Sequence, residues 1–143
     1  MFSLIRRLVS KSDVPKLPQI SAEVAFRAGE MISISLMSER SAPGIIAKLN
    51  FPFSRGYLFG WIDAASQCAN IPLTDKEFVV YMSAGHYPLK DDIGDSTSFV
   101  LSSAKLQGTP SFDNGRSLGA QEYMASLDGK LNMPIGLITF IRR

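Results

Sequence analysis

Ser54-Arg55-Gly56-Tyr57-Leu58-Phe59-Gly60-Trp61-Ile62-Asp63-Ala64-Ala65-Ser66-Gln67-Cys68-Ala69 is apolar nearly all the way round when wound at 3.6 residues per turn. A surface helix shows one apolar stripe, whereas a helix that is apolar on every side has to be enclosed. Segment 54–69 is therefore expected to be a central, buried helix. Phe51-Pro52-Phe53 leads into it, and Asn70 and Pro72 stop it.

Helical signals continue on both sides. Thr74-Asp75-Lys76-Glu77 fits a capping box, in which the threonine hydroxyl accepts from the Glu77 amide and the Glu77 carboxylate reaches back. Phe78 to Met82 continue this helix, Gly85 reads as its stop, and Pro88 lies just beyond. Residues 90–95 read as a polar loop, after which Asp95 or Ser96 can cap a helix over about 97–107. Gly108 and Pro110 separate it from a helix over about 112–127, which ends at Asp128-Gly129. A last element follows Pro134. Its Ile135, Leu137, Ile138, Phe140 and Ile141 suit a strand by propensity, but no other segment reads convincingly as a strand partner, so helix is preferred.

Upstream, Ser21 can cap a helix carrying Val24, Ala25, Ala28, Met31, Ile32 and Leu36. Ser41-Ala42-Pro43-Gly44 ends it, and Ile45 to Leu49 make a turn or two. Residues 13–20 hold two prolines and read as a linker. Residues 2–11 fit a short amphipathic helix that packs on the domain, docks a partner, or touches a membrane surface. The expected architecture is all-α: a compact bundle of five to seven helices over 21–143, preceded by a short helix and proline-containing linker over 1–20.

One pattern repeats within the chain. Phenylalanine, glycine three later and a small residue four after that occur as Phe26/Gly29/Ser33, Phe53/Gly56/Gly60 and Phe112/Gly115/Gly119. In the last two an acid follows by three, Asp63 and Glu122, and a proline with an apolar residue comes later, at Pro72-Leu73 and Pro134-Ile135. A helical glycine costs roughly 1 kcal/mol relative to alanine, so Gly56, Gly60, Gly115 and Gly119 need an offsetting benefit of about 4 kcal/mol. Close helix packing is the direct explanation. Room for a ligand is a second, and a turn at Asp113-Asn114-Gly115 is a third.

Composition bounds the function. The net charge is +2, but 17–141 holds nine basic and twelve acidic residues, so the basic excess is terminal. No clustered basic face with interleaved aromatics indicates nucleic acid binding. The single cysteine, Cys68, cannot form an internal disulfide, which fits a reducing, cytoplasmic setting. Within its apolar helix it is expected to be a core thiol. No apolar run reaches the roughly 18 residues of a membrane span, and no secretory signal is evident.

Chemistry-bearing groups are few. If the repeat is a pseudo-two-fold, Asp63 and Glu122 could meet and share a proton or a metal. Otherwise each caps a loop or pairs with a base such as Arg55, Lys105 or Arg116. The single histidine excludes the Glu-x-x-His pairs of bundle metal sites, so neither metal nor cofactor is expected. His86 is expected to serve the carbonyls of a helix C-terminus. Asp91, Asp92 and Asp95 lack the rest of a calcium loop and read as solvated, and Gly115 to Gly119 has no phosphate-loop ending. Two functional readings remain. The preferred one is a non-enzymatic interaction or assembly module, self-associating through an apolar helix face. The alternative is a small-molecule-binding or enzymatic domain with its site near Tyr57, Trp61, Asp63 and Glu122.

Overall fold

The computed structural model describes residues 16–143. They form seven α-helices of five residues or more: α1 (Gln19–Leu36), α2 (Ile45–Leu49), α3 (Pro52–Cys68), α4 (Asp75–His86), α5 (Ser96–Ala104), α6 (Pro110–Leu127) and α7 (Ile135–Ile141). A 3-10 turn over Tyr87–Leu89 and a single α-turn over Lys90–Ile93 join α4 to α5. The molecule is an all-α bundle with no strand among the described residues. The helix expected over 2–11 lies outside them.

α3 is the hub, and its polar groups reach every large neighbour. Trp61 Nε1 donates to the Ala28 carbonyl of α1 at 3.0 Å, and the Tyr81 hydroxyl of α4 donates to the Ile62 carbonyl at 2.8 Å. Arg55 donates to the Phe99 carbonyl and to the Ser102 and Ser103 hydroxyls of α5. The Tyr57 hydroxyl donates to Glu122 of α6, and Phe53 stacks on Phe140 of α7 at 4.8 Å between centroids. Tyr57, Leu58, Trp61 and Ile62 have no exposed surface. Burying side chains of that size stabilises by roughly 2 kcal/mol each. Their polar atoms are satisfied across helix boundaries, so burial does not leave them unpaired.

Element boundaries follow local chemistry. The Thr74 capping box is present in both directions, at 3.2 Å to the Glu77 amide and 3.0 Å back to the Thr74 amide. Asp95 caps α5 by accepting from the Ser98 amide at 2.9 Å. Several expectations are corrected. α1 starts at Gln19 behind Pro18, so Ser21 is no cap but a buried residue within it, and the linker is shorter than 13–20. Gly85 lies inside α4, where a Cβ would stand 2.4 Å from the Ile62 side chain of α3. Lys90–Ile93 is helical rather than loop, and Asp92 is buried against Arg40 at 3.0 Å rather than solvated. Asp113-Asn114-Gly115 is no turn, because α6 runs unbroken from Pro110. Cys68 is exposed, since α3 leaves the core in its last turn.

Candidate functional site

α3 and α6 meet backbone to backbone. A Cβ on Gly56 would stand 2.0 Å from the Phe112 carbonyl oxygen, and one on Gly60 would stand 1.9 Å from that of Arg116. Reciprocally, Gly115 faces the Phe53 carbonyl at 2.1 Å and Gly119 faces that of Tyr57 at 2.2 Å. Only a hydrogen fits such gaps, so the four glycines place Cα–H groups against carbonyl oxygens of the opposite helix. Contact numbers rise together along both helices, so they run parallel.

Adding 59 to an α3 number gives its α6 counterpart. Gly56 on Phe112 becomes Gly115 on Phe53, and Gly60 on Arg116 becomes Gly119 on Tyr57. The pair is thus related by a pseudo-two-fold axis lying between the helices.

The same operation relates the two acids, and it separates them. The Tyr57 hydroxyl donates to Glu122, and Arg116, the counterpart of Tyr57, meets Asp63, the counterpart of Glu122, at 3.5 Å. Glu122 also accepts from the Gly136 amide at 2.9 Å, and Asp63 from Gln67 at 3.1 Å. Tyr57 and Glu122 therefore lie together on the flank covered by α7. Asp63 lies on the other flank, in a polar groove lined with Gly60, Gln67, Asp113, Arg116 and Ser117. Burial and the Glu122 carboxylate together push the Tyr57 phenol well above its ordinary range, so it stays protonated and donates to Glu122. Trp61 packs edge-on against Tyr123 at 5.4 Å and faces no groove. Asp63 lines this polar groove, while Tyr57 and Trp61 have no exposed surface among the described residues. Among the described residues no three His, Cys, Asp or Glu side chains gather as metal ligands.

The described surface offers a different feature. A groove of about 540 Å³ runs between α1 and the end of α4. Its floor is apolar, from Ala22, Phe26, Ala84 and Tyr87, and its α1 edge carries Gln19, Glu23, Arg27 and Glu30. Phe26 is 40% exposed and Tyr87 48%, so both rings offer surface to a partner. The groove exists because α1 and α4 are pinned below it at Gly29, where a Cβ would stand 1.7 Å from the Gly85 carbonyl oxygen. Met31 and Ile34 of α1, and Met37 just beyond its end, are also exposed. Phe26 had been visible in the sequence only as the first member of the repeat. Ala84 and Tyr87 carried no signal of their own, because their role comes from where α4 ends against α1.

Comparison with protein-family models, curated proteins and solved structures found no match. No helix among the described residues is long and apolar enough to cross a membrane.

Proposed function

We propose that this protein is a non-enzymatic interaction or assembly module, working in a cytoplasmic setting, which docks an amphipathic helix of a protein partner in the α1/α4 groove. The observation that carries the reading is the exposed aromatic pair, Phe26 and Tyr87, over an alanine floor. Aromatic anchors around an apolar trough are how helix-in-groove recognition gains affinity, with partner residues at i, i+3, i+4 and i+7 entering it. The Gly56/Gly60 and Gly115/Gly119 stripes are used up inside the molecule and contribute nothing to an outer interface. The alternative, a ligand site around Tyr57, Trp61, Asp63 and Glu122, has less behind it, because Tyr57 and Trp61 have no exposed surface.

The test is selection of helical peptides from a displayed library on the immobilised full chain, in parallel with its Phe26→Glu variant. The wild type should enrich peptides with apolar residues at helical spacing, and the variant should enrich none while keeping the same far-ultraviolet dichroism. No enrichment on the wild type, or equal enrichment on both, refutes the docking role.

A further inference from the structure

We propose that the partner helix accepted by the α1/α4 groove is a basic one: beside its apolar stripe it carries two lysines or arginines seven residues apart, which meet Glu23 and Glu30. The inference deepens the docking role above and rests on it.

The charge of the groove edge carries it. Glu23 and Glu30 are exposed, and both line the groove. Seven residues are close to two full turns, so the two carboxylates stand on one side of α1, roughly 10 Å apart along its axis. Neither has a basic partner within salt-bridge distance among the described residues. The Glu23 carboxylate accepts from the Gln19 amide at 3.2 Å, a neutral donor that leaves its charge in place. Arg27 lies between the two acids, so the edge is net acidic by one charge. Lys90, beyond Tyr87, donates to the Tyr87 hydroxyl at 3.0 Å and lies over its ring. A partner therefore meets an apolar floor with an acidic border along α1.

The spacing carries over to the partner. A helix lying along α1 rises by the same amount per residue, so the residues that meet Glu23 and Glu30 are themselves seven apart. With apolar residues at i, i+3, i+4 and i+7 on the floor, the flank beside α1 is i+1 and i+8, or i−1 and i+6 if the helix runs the other way. Lysine and arginine suit that flank, because their methylene stems cover apolar surface while the charged heads reach the carboxylates. Rim pairs of this kind add little affinity each, but they set partner choice. A helix with the same apolar stripe and acids at those positions sets like charges against Glu23 and Glu30 and is rejected.

The experiment compares two fluorescent helical peptides with one leucine stripe, carrying either lysine or glutamate at i+1 and i+8, by anisotropy on the full chain at low salt. The lysine peptide should bind about tenfold tighter. That gap should close at about 1 M salt, where charges are screened beyond roughly 3 Å. Glu23→Lys combined with Glu30→Lys should reverse the order of the two peptides while leaving the far-ultraviolet dichroism unchanged. Phe26→Ala should weaken both peptides at least tenfold. Equal affinities for the two peptides, or an order that the double variant does not reverse, overturn the inference. If Phe26→Ala still weakens both in that case, the docking role stands and only the charge preference is lost. A lysine preference that Phe26→Ala leaves at full affinity puts the recognition outside the groove and overturns the inference as well. If neither peptide binds, the inference falls together with the docking role.

Discussion

His86, the only histidine, ends α4 and has no exposed surface. Its Nδ1 lies 2.7 Å from the Met82 carbonyl oxygen, which can only accept, so Nδ1 carries the proton of the neutral ring. Nε2 is then a buried acceptor without a partner among the described residues. Phe99 leans on the ring at 5.6 Å, with Arg55 above Phe99 at 4.0 Å. Burial pushes the imidazole down to about 4; the Met82 carbonyl opposes this and Arg55 adds to it. The unfolded chain binds its proton near 6.5, so it protonates first, and stability falls as pH drops from about 6.5 toward 4. Between pH 7 and pH 5 this group alone removes about 2 kcal/mol. The check is the urea midpoint at both values for the wild type and His86→Phe. The wild-type midpoint should drop and the variant's should stay nearly level, whereas equal drops would refute the assignment. That His86 serves helix carbonyls was legible from its place after Gly85. Its enclosure was not, because only packing brings Phe99 and Arg55 over it.

The α3–α6 pair turns a local cost into a close contact. Each glycine gives up roughly 1 kcal/mol of helix propensity, and in return the backbones interlock at four points. Gly60→Ala should recover that propensity and still destabilise by about 2–4 kcal/mol, because its methyl would stand 1.9 Å from the Arg116 carbonyl oxygen and backbone cannot yield. Thermal unfolding measures this, and an unchanged or higher midpoint would contradict the packing. The glycine spacing was readable because such residues are costly inside helices. Which helix covers each stripe was not, since a flat face specifies no partner. Phe26/Gly29/Ser33 resembles the other two instances, yet Gly29 meets Gly85 of α4.

Closure of the bundle depends on the asymmetry between two equivalent positions. Glu122 collects the Tyr57 hydroxyl and the Gly136 amide and so ties α7 to α3 and α6. Lys48 reaches the Ile141 carbonyl at 3.1 Å, and Arg142 pairs with Glu39, whose carboxyl it holds below the usual range. Among the described residues Asp63, the counterpart of Glu122, meets only a partly exposed guanidinium and Gln67. Glu122→Ala strands two donors and should cost about 1–3 kcal/mol, with amide exchange over Ile135–Ile141 rising at least tenfold. Asp63→Ala should cost under about 1 kcal/mol. Hydrogen exchange by mass spectrometry separates the two, and equal effects would mean that Glu122 does not hold α7 in place.

Winding, burial and stopping are written in short windows: the enclosed character of 54–69, the capping box at Thr74 and the preference for helix after Pro134 all follow from side-chain type and spacing. Pairing is different. The separation of Asp63 from Glu122, the meeting of Gly29 with Gly85, and the groove between Phe26 and Tyr87 depend on residues that are distant along the chain. Periodicity says which face of a helix is hidden but carries no information on what hides it, so these features exist only once the helices have packed.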